Sequence, residues 1–407
     1  MKTATALPAG RFIDLHVIQS LPFANLNRDD TNSVKTVQFG GVNRTRISSQ
    51  SWKRAIRLDV EQALGQQTLR TRRLAEAIRR HLHEDLGWPS ELATRAGIYT
   101  VMASSVGAKA PKPKKSGEMP DSGGEADVPW GTNAMVYVPE AAVTELGAIA
   151  IEFRDQLQAA TDLKSHDGKA VATAKSVMPG EKIDDILRSR NGIINLMGRM
   201  LAELDRAGVD GSVQVAHVIS THATDIEIDY FSAVDDITEA WGDQSGSAHM
   251  GHNEYSAGTF YRYTTIDMAE LLRNVGGAED ARKLAQAFLT AAINALPQAK
   301  KNSTAPHTFP DFIAMAVRAD RPLSYVSAFE APVIQESGEG YTAASIRELN
   351  NYASALNTLM GASRAPLAQA CAGTSALDTA GLGERLESVD DLVSAAATAA
   401  FAPRNGQ

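Results

Sequence analysis

The sequence predicts an α+β protein built on a ferredoxin-like (RRM-like) sheet, with a long helical segment inserted into it. Three observations predict this. Period-2 alternation marks short strands at 12–18, 211–220, 258–266 and 311–319. Period-3.6 patterns mark helices after the first strand, near 49–63, and after the third, at 278–296. Long stretches interrupt the order only between the first helix and the second strand, and between the second and third strands. Without these insertions the order is β-α-β-β-α-β, the split βαβ plan used by many RNA-binding modules. No aromatic base-stacking signature lies on the predicted central strands, so stacking on the sheet is not expected.

The elements follow from local pattern. In "FIDLHVI", Ile13, Leu15 and Val17 alternate with Asp14 and His16. "LPFANLNRDDTNS" reads as loop, and "GGVNRTRISS" as an extended approach ending in the N-cap candidates Ser48 and Ser49. In the helix that follows, Trp52, Ile56 and Val60 recur every four residues and face a core. Gln50, Lys53, Arg54 and Arg57, at i, i+3, i+4 and i+7, share the other face. A second helix is expected over 67–86, ended by Gly87 and Pro89, with its arginines on a solvated face. Residues 104–129 are rich in Pro, Gly, Lys and Ser and predict a loop. Helical pattern returns at 139–164 and 181–190, and again near 342–360 and 383–402.

A chain of 407 residues predicts two or three compact units. No apolar run approaches the roughly 20 residues that cross a bilayer, and no signal-peptide core is present at the start. The single cysteine, Cys371, fits a reducing, cytoplasmic setting and excludes an internal disulfide. The net charge of −8 argues against a generic nucleic-acid binder, but the charge is unevenly spread. Between Asp30 and Asp59 there is no acid, while Lys35, Arg44, Arg46, Lys53, Arg54 and Arg57 are present. From Ala207 to Tyr261 there is no Lys or Arg, while acids run from Asp210 to Glu254. Such basic and acidic poles suit head-to-tail stacking of identical copies.

No P-loop, HExxH or GxSxG motif is present, and one cysteine allows no CxxC. His217, His222, His249 and His252, with nearby acids, form the nearest enzyme-like group, and such residues can ligate a divalent metal. They give a second reading, a metal-dependent ribonuclease, against structural roles for His217 on an apolar strand face and for the others in turns. A third reading is a protein-only scaffold. The basic helix face is the strongest signal: three cations and a glutamine project from the first turns, where free N–H groups and the helix dipole favour an anion. Six cations on phosphates would give a log–log salt slope of roughly −4 for single strands. Met200, between Arg199 and Leu201, is either core packing or an apolar wedge between bases.

Four segments together resemble one family: "LNRDD…FGGVNRTRISSQSWKRAIR" (26–57), "AHVISTHATDIEIDYFSAVDD" (216–236), "GSAHMGHNEYSAGTFYRY" (246–263) and "RPLSYVSAFEAPV" (321–333). They resemble the CasC-type backbone subunits of type I-E CRISPR Cascade complexes, in order across most of 11–333. Val42 departs from the basic residue of that pattern, and "TEAWGDQSGSA" lengthens the tip of the segment that the family uses as its thumb. The resemblance implies a right-hand shape. A palm would comprise 11–63, 190–222 and 257–330, with helical fingers at 64–189, a β-hairpin thumb at 223–256, and a C-terminal helical region at 331–407 packed on the palm. It implies a non-catalytic antiviral-defence subunit that polymerises along CRISPR RNA, kinks it at intervals and presents it to target DNA, beside other Cascade subunits. Neither a cofactor nor a metal is implied. Arg28, Lys35, Gln50, Lys53, Arg54, Arg57 and Arg199 would contact guide RNA, Met200 would insert at the kink, and Phe231 and Ser232 would lie on the thumb. The acidic 223–256 segment, with Asp235 and Asp236, would meet basic surface on the next copy.

Overall fold

A computed structural model describes residues 10–109, 130–160, 165–166, 169–170, 176–233, 249–335 and 338–402. The chain divides into two compact units, one formed by 1–60 with 212–407, the other by 61–211. The loop expected at 104–129 lies largely outside the described residues, as do Asp235 and Asp236.

In the first unit the strands are β1 (Phe12–Ala24), β2 (Thr36–Phe39), β3 (Val42–Ile47), β4 (Val213–Val215), β5 (Val218–Ser220), β6 (Glu227–Ala233), β7 (His249–Asp267), β8 (Phe312–Arg318), β9 (Ala368–Gly373) and β10 (Glu384–Arg385). Its main helices are α1 (Ser49–Leu64), whose last turn enters the other unit, α2 (Met268–Val275), α3 (Ala278–Asn294), α4 (Tyr341–Met360) and α5 (Val389–Phe401). The sheet runs β10-β9-β8-β1-β7-β5-β3-β2, with β4 and β6 also paired to β7. Its centre, β8-β1-β7-β5, is antiparallel throughout. Chain order β1-α1-β5-β7-α3-β8 therefore traces β-α-β-β-α-β with strand order 4-1-3-2.

The polar residues of β1 are not solvated, as simple alternation suggested: Asp14 and His16 are fully buried. Asp14 pairs with Arg318 at 3.2 Å, accepts from the Tyr263 hydroxyl at 2.8 Å, and accepts from the Leu323 N–H at 3.0 Å. His16 Nδ1 lies 2.8 Å from the Tyr261 hydroxyl, and its ring stacks 4.0 Å from Tyr325. The loop carrying Leu323 to Phe329 and the helix α4 thus cover this face, together with Ile346 and Leu349. On the opposite face Trp52 of α1 packs with Leu21, Ile47, Val218, Phe260 and Leu296. Arg262 ties that face together. Its guanidinium lies 4.0 Å from the Trp52 ring, donates to Gln19 Oε1 at 2.7 Å, and donates to the carbonyls of Ala292 and Ile293 that end α3.

The strand expected at 211–220 is two pieces, because the pairing is irregular at Ala216 and His217, although Ala216 N still donates to the Tyr263 carbonyl at 3.0 Å. The strand expected at 258–266 is the inner half of β7, whose outer half pairs with β6 as a hairpin. Residues 368–373 form an edge-proximal strand that the sequence pattern did not single out.

In the second unit, helices Leu74–Arg80, Ser90–Ala103, Ala141–Glu152 and Gly180–Arg188 enclose Ile78, Leu82, Ala93, Leu146, Ile183 and Leu187. The helix expected over 67–86 begins later, because Thr68–Thr71 is a strand paired with Val136–Pro139. Its two β-branched threonines suit that strand. Residues 190–211, expected with the sheet, cluster with this unit.

Candidate nucleic-acid interface

The approach to α1 is built from three turns. In the first, Asp29 Oδ1 accepts from the Thr31 N–H and hydroxyl and from the Ser33 N–H, which closes the "NRDD" loop. These bonds, led by that from Thr31, hold its carboxyl below the usual range. Glu254 of β7 anchors the loop, accepting from Val34 N at 2.9 Å and Ser33 Oγ at 3.1 Å. The second is the β2–β3 hairpin, where Gly40 and Gly41 take φ of +61° and +79°. A two-residue turn with both φ positive favours glycine. At Gly40 space also demands it, since an added Cβ would lie 1.6 Å from the Glu330 carbonyl oxygen. The third is the N-cap: Ser48 Oγ accepts from Ser51 N at 3.3 Å, and Asn27 Oδ1 accepts from Ser48 N at 2.8 Å.

The cations of the acid-free window then separate. Arg44 is fully buried and donates to the carbonyls of Phe39, Ser220, Phe329 and Glu330, so it belongs to the framework and not to an outer basic surface. Burial lowers its pKa. Arg46 is half-buried and points to His217. On α1, Trp52, Ile56 and Val60 are buried as the spacing predicted, Gln50 and Arg54 are exposed, and Lys53 and Arg57 are half-buried. The first turn carries no acid. Arg54 lies at the edge of this face and lines a groove of about 630 Å³ shared with Leu58, Asp59, Gln298 and Phe309. Burial pushes the Asp59 carboxyl up. Arg28 is exposed and donates to Asn32 Oδ1 at 2.9 Å. Lys35 is half-buried, and its carbonyl accepts from Arg46 N at 2.8 Å.

One cation was missed by sequence reasoning. Lys300 donates to Asn253 Oδ1, sits 4.9 Å from the Tyr255 ring centroid, and has its pKa lowered by burial and then by Arg28. Its only sequence signal was the pair "KK" after the α3 stop.

Arg199 takes a different role from the one expected. It is 5% exposed, and donates to the carbonyls of Ala207, Tyr137, Ser189 and Arg188. That leaves one of its five N–H groups for anything else. The adjacent Met200 is 90% exposed, so it is not core packing. It follows Gly198, whose φ is +79° and whose absent Cβ leaves room for Gly211. Both lie in the second unit.

On the hairpin, Phe231 and Ser232 are exposed, with Ile228, Tyr230 and Met250 exposed beside them. The Phe231 ring lies over Gly251 of the facing strand, where a Cβ would come within 2.6 Å of it. The 241–248 tip lies outside the described residues.

The histidines are dispersed among separate contacts. His222 is buried: its Nδ1 bonds the Ala223 carbonyl at 2.8 Å, its Nε2 accepts from Thr259 N at 3.1 Å, and its ring stacks on Tyr341. His217 is exposed, not on an apolar face, and its Nδ1 accepts from Ser49 N and Arg46. His252 lies near Tyr230, and the side chain of His249 is outside the description. Among the described residues no three His, Cys, Asp or Glu are placed to hold a metal. No helix among them is long and apolar enough to cross a membrane.

No curated protein matches the chain. Two solved structures are similar over nearly all of it. One, a chain of a "CRISPR RNA-guided surveillance complex, pre-nicking", is 41% identical with a TM-score of 0.83, covering 96% of this chain and 100% of the other. Another, from a "CRISPR RNA-guided surveillance complex", is 36% identical with a TM-score of 0.74 and the same coverages. The model of the family described as CT1975-like protein matches residues 13–395, and the chain therefore belongs to the Cas CT1975-like family.

Proposed function

We propose that this protein is a guide-RNA-binding backbone subunit of a CRISPR Cascade surveillance complex. The observation that carries the reading is the 41% identity over 96% of the chain to a subunit of such a complex. The sheet unit would be the palm, the 61–211 unit the fingers, and the β6–β7 hairpin the thumb. Copies would stack head to tail along one CRISPR RNA. Gln50, Lys53, Arg54 and Arg57 on α1, with Arg28 and Lys35 on the approach, would hold successive phosphates. Met200, solvent-facing beside a left-handed glycine, is suited to enter between bases at a kink. Phe231 and Ser232 would act from the hairpin. Protein would hold the backbone while base pairing reads the target, the division of labour of RNA-guided systems generally. No step of bond cleavage is assigned to the chain: among the described residues His217, His222 and His252 lie in separate contacts, and no group is placed to hold a metal.

The test is co-expression with a CRISPR guide RNA, followed by particle mass and nucleic-acid absorbance. A particle of several chains carrying intact RNA is expected. With Lys53, Arg54 and Arg57 all changed to Glu, RNA should be lost from it. Assembly unaffected by that triple change would favour the protein-only scaffold, and shortened RNA in the particle would favour a nuclease.

A further inference from the structure

We propose that Arg46 is a further phosphate contact, and that His217 is the residue that positions it. The inference rests on the guide-RNA reading above. His217 sits in the irregular link between β4 and β5, and its ring is exposed. Its Nδ1 lies 3.2 Å from an Arg46 guanidinium nitrogen and 3.2 Å from Ser49 N. A guanidinium and a backbone amide are donors only, so Nδ1 accepts from both and the ring proton resides on Nε2. Burial and Arg46 both lower the His217 pKa, which keeps the ring neutral and the acceptor available.

One acceptor thus joins two elements, tying the Arg46 guanidinium from β3 to the first turn of α1. Among the described residues no carboxylate pairs with Arg46. The anion-binding donors are then the remaining guanidinium N–H groups of Arg46, beside a first helical turn without an acid. A group of donors with no acceptor among them complements an anion, and a guanidinium held in one orientation suits the fork geometry of a phosphate. A metal at His217 is disfavoured by the same bonds, because one nitrogen is occupied and the other protonated. Length and charge pattern alone set Arg46 beside Arg44. The structure separates them, one inside and one held at the surface by a histidine distant in sequence.

The test is a binding cycle with the full chain and a fluorescein-labelled single-stranded RNA of guide length, read by anisotropy at several salt concentrations. Arg46→Ala is expected to weaken binding about 5- to 10-fold and to reduce the salt slope by about 0.7. His217→Ala should weaken it about 3-fold or more, and the double variant should bind within twofold of Arg46→Ala, since the histidine acts through the arginine. His217→Asn, whose amide oxygen stands near the position of Nδ1, should restore most of the affinity. Thermal melting of each variant separates a loss of grip from a loss of fold. Independent, multiplying effects of the two alanine changes would overturn the positioning role, as would failure of His217→Asn to rescue a folded protein. Unchanged affinity of Arg46→Ala, with RNA still bound, would overturn the contact itself. If the Lys53, Arg54 and Arg57 charge reversal leaves RNA binding intact, the wider reading fails, and this inference with it.

Discussion

At the residue scale, the acid-free window contains two kinds of arginine, and the sequence does not distinguish them. Arg44 holds four carbonyls inside the sheet unit, whereas Arg54 lines an open groove. Arg44→Ala should cost about 3 kcal/mol in urea unfolding, since buried acceptors left unpaired are expensive. Arg54→Ala should change stability by less than about 0.5 kcal/mol while weakening RNA binding. Equal stability losses would refute this division. The burial of Arg199 was as illegible as that of Arg44: a cation in a run of motif residues gives no sign of which carbonyls will surround it. Met200 was ambiguous in sequence because an exposed and a buried methionine look alike there. Gly40→Ala should destabilise strongly, because both its φ and the Glu330 carbonyl forbid a Cβ. An unfolding midpoint equal to that of the unmodified chain would contradict the close approach.

At the element scale, α1 is held by its inner face so that its outer face can be cationic. Trp52 is 1% exposed and sandwiched against Arg262. Trp52→Ala should cost about 3–5 kcal/mol and lower RNA affinity without removing a charge. Strand β1 carries a second measurable consequence. Burial, with Arg318 adding to it, lowers the pKa of His16 to about 3. An unfolded histidine titrates near 6.5, so the unfolded chain takes up the proton first and stability falls as pH drops below about 6.5. Between pH 6.5 and 5.0 that group alone removes about 1.6 kcal/mol. Asp14, raised mainly by burial, acts in the opposite sense at lower pH. His16→Phe should flatten the slope of stability against pH in this window, and an unaltered slope would exclude the histidine as its source. α1, α3, β8, α4 and the first half of β1 were legible because each carries a clear pattern, whereas 21–24, expected as loop, continue β1. Thr68–Thr71 was not, because four residues beside a helical pattern contain too little of any period. Nor was the break at Ala216–His217, since the alternating pattern continues through it.

At the scale of the whole molecule, the β-α-β-β-α-β order could be read once the insertions were removed, and the observed strand order agrees with it. The division between units was harder to read. Residues 190–211 join the inserted unit through packing of Leu201, Leu204 and Ala207, and such long-range packing leaves no local signature. For the proposed grip, five cations remain from the expected set, Arg28, Lys35, Lys53, Arg54 and Arg57, and Arg46 makes a sixth. Single-strand binding per chain should then have a log–log salt slope of about −4. A slope near zero would exclude phosphate contact as the main source of affinity.

The single strand β7 runs for 19 residues, from the exposed hairpin to the centre of the sheet. At about 3.3 Å per residue it spans roughly 60 Å, with one shift of register against β1 between Ser256 and Gly258. The hairpin is therefore a cantilever whose root is clamped by β1 on one side and by β4 and β5 on the other. A load at its free end bends the same backbone that carries Tyr261 and Arg262. If each copy rests its hairpin on a shared polymer, the interval between copies is gauged by the stiffness of a strand. The molecule then works as a ruler, and its graduations are set by the fold itself.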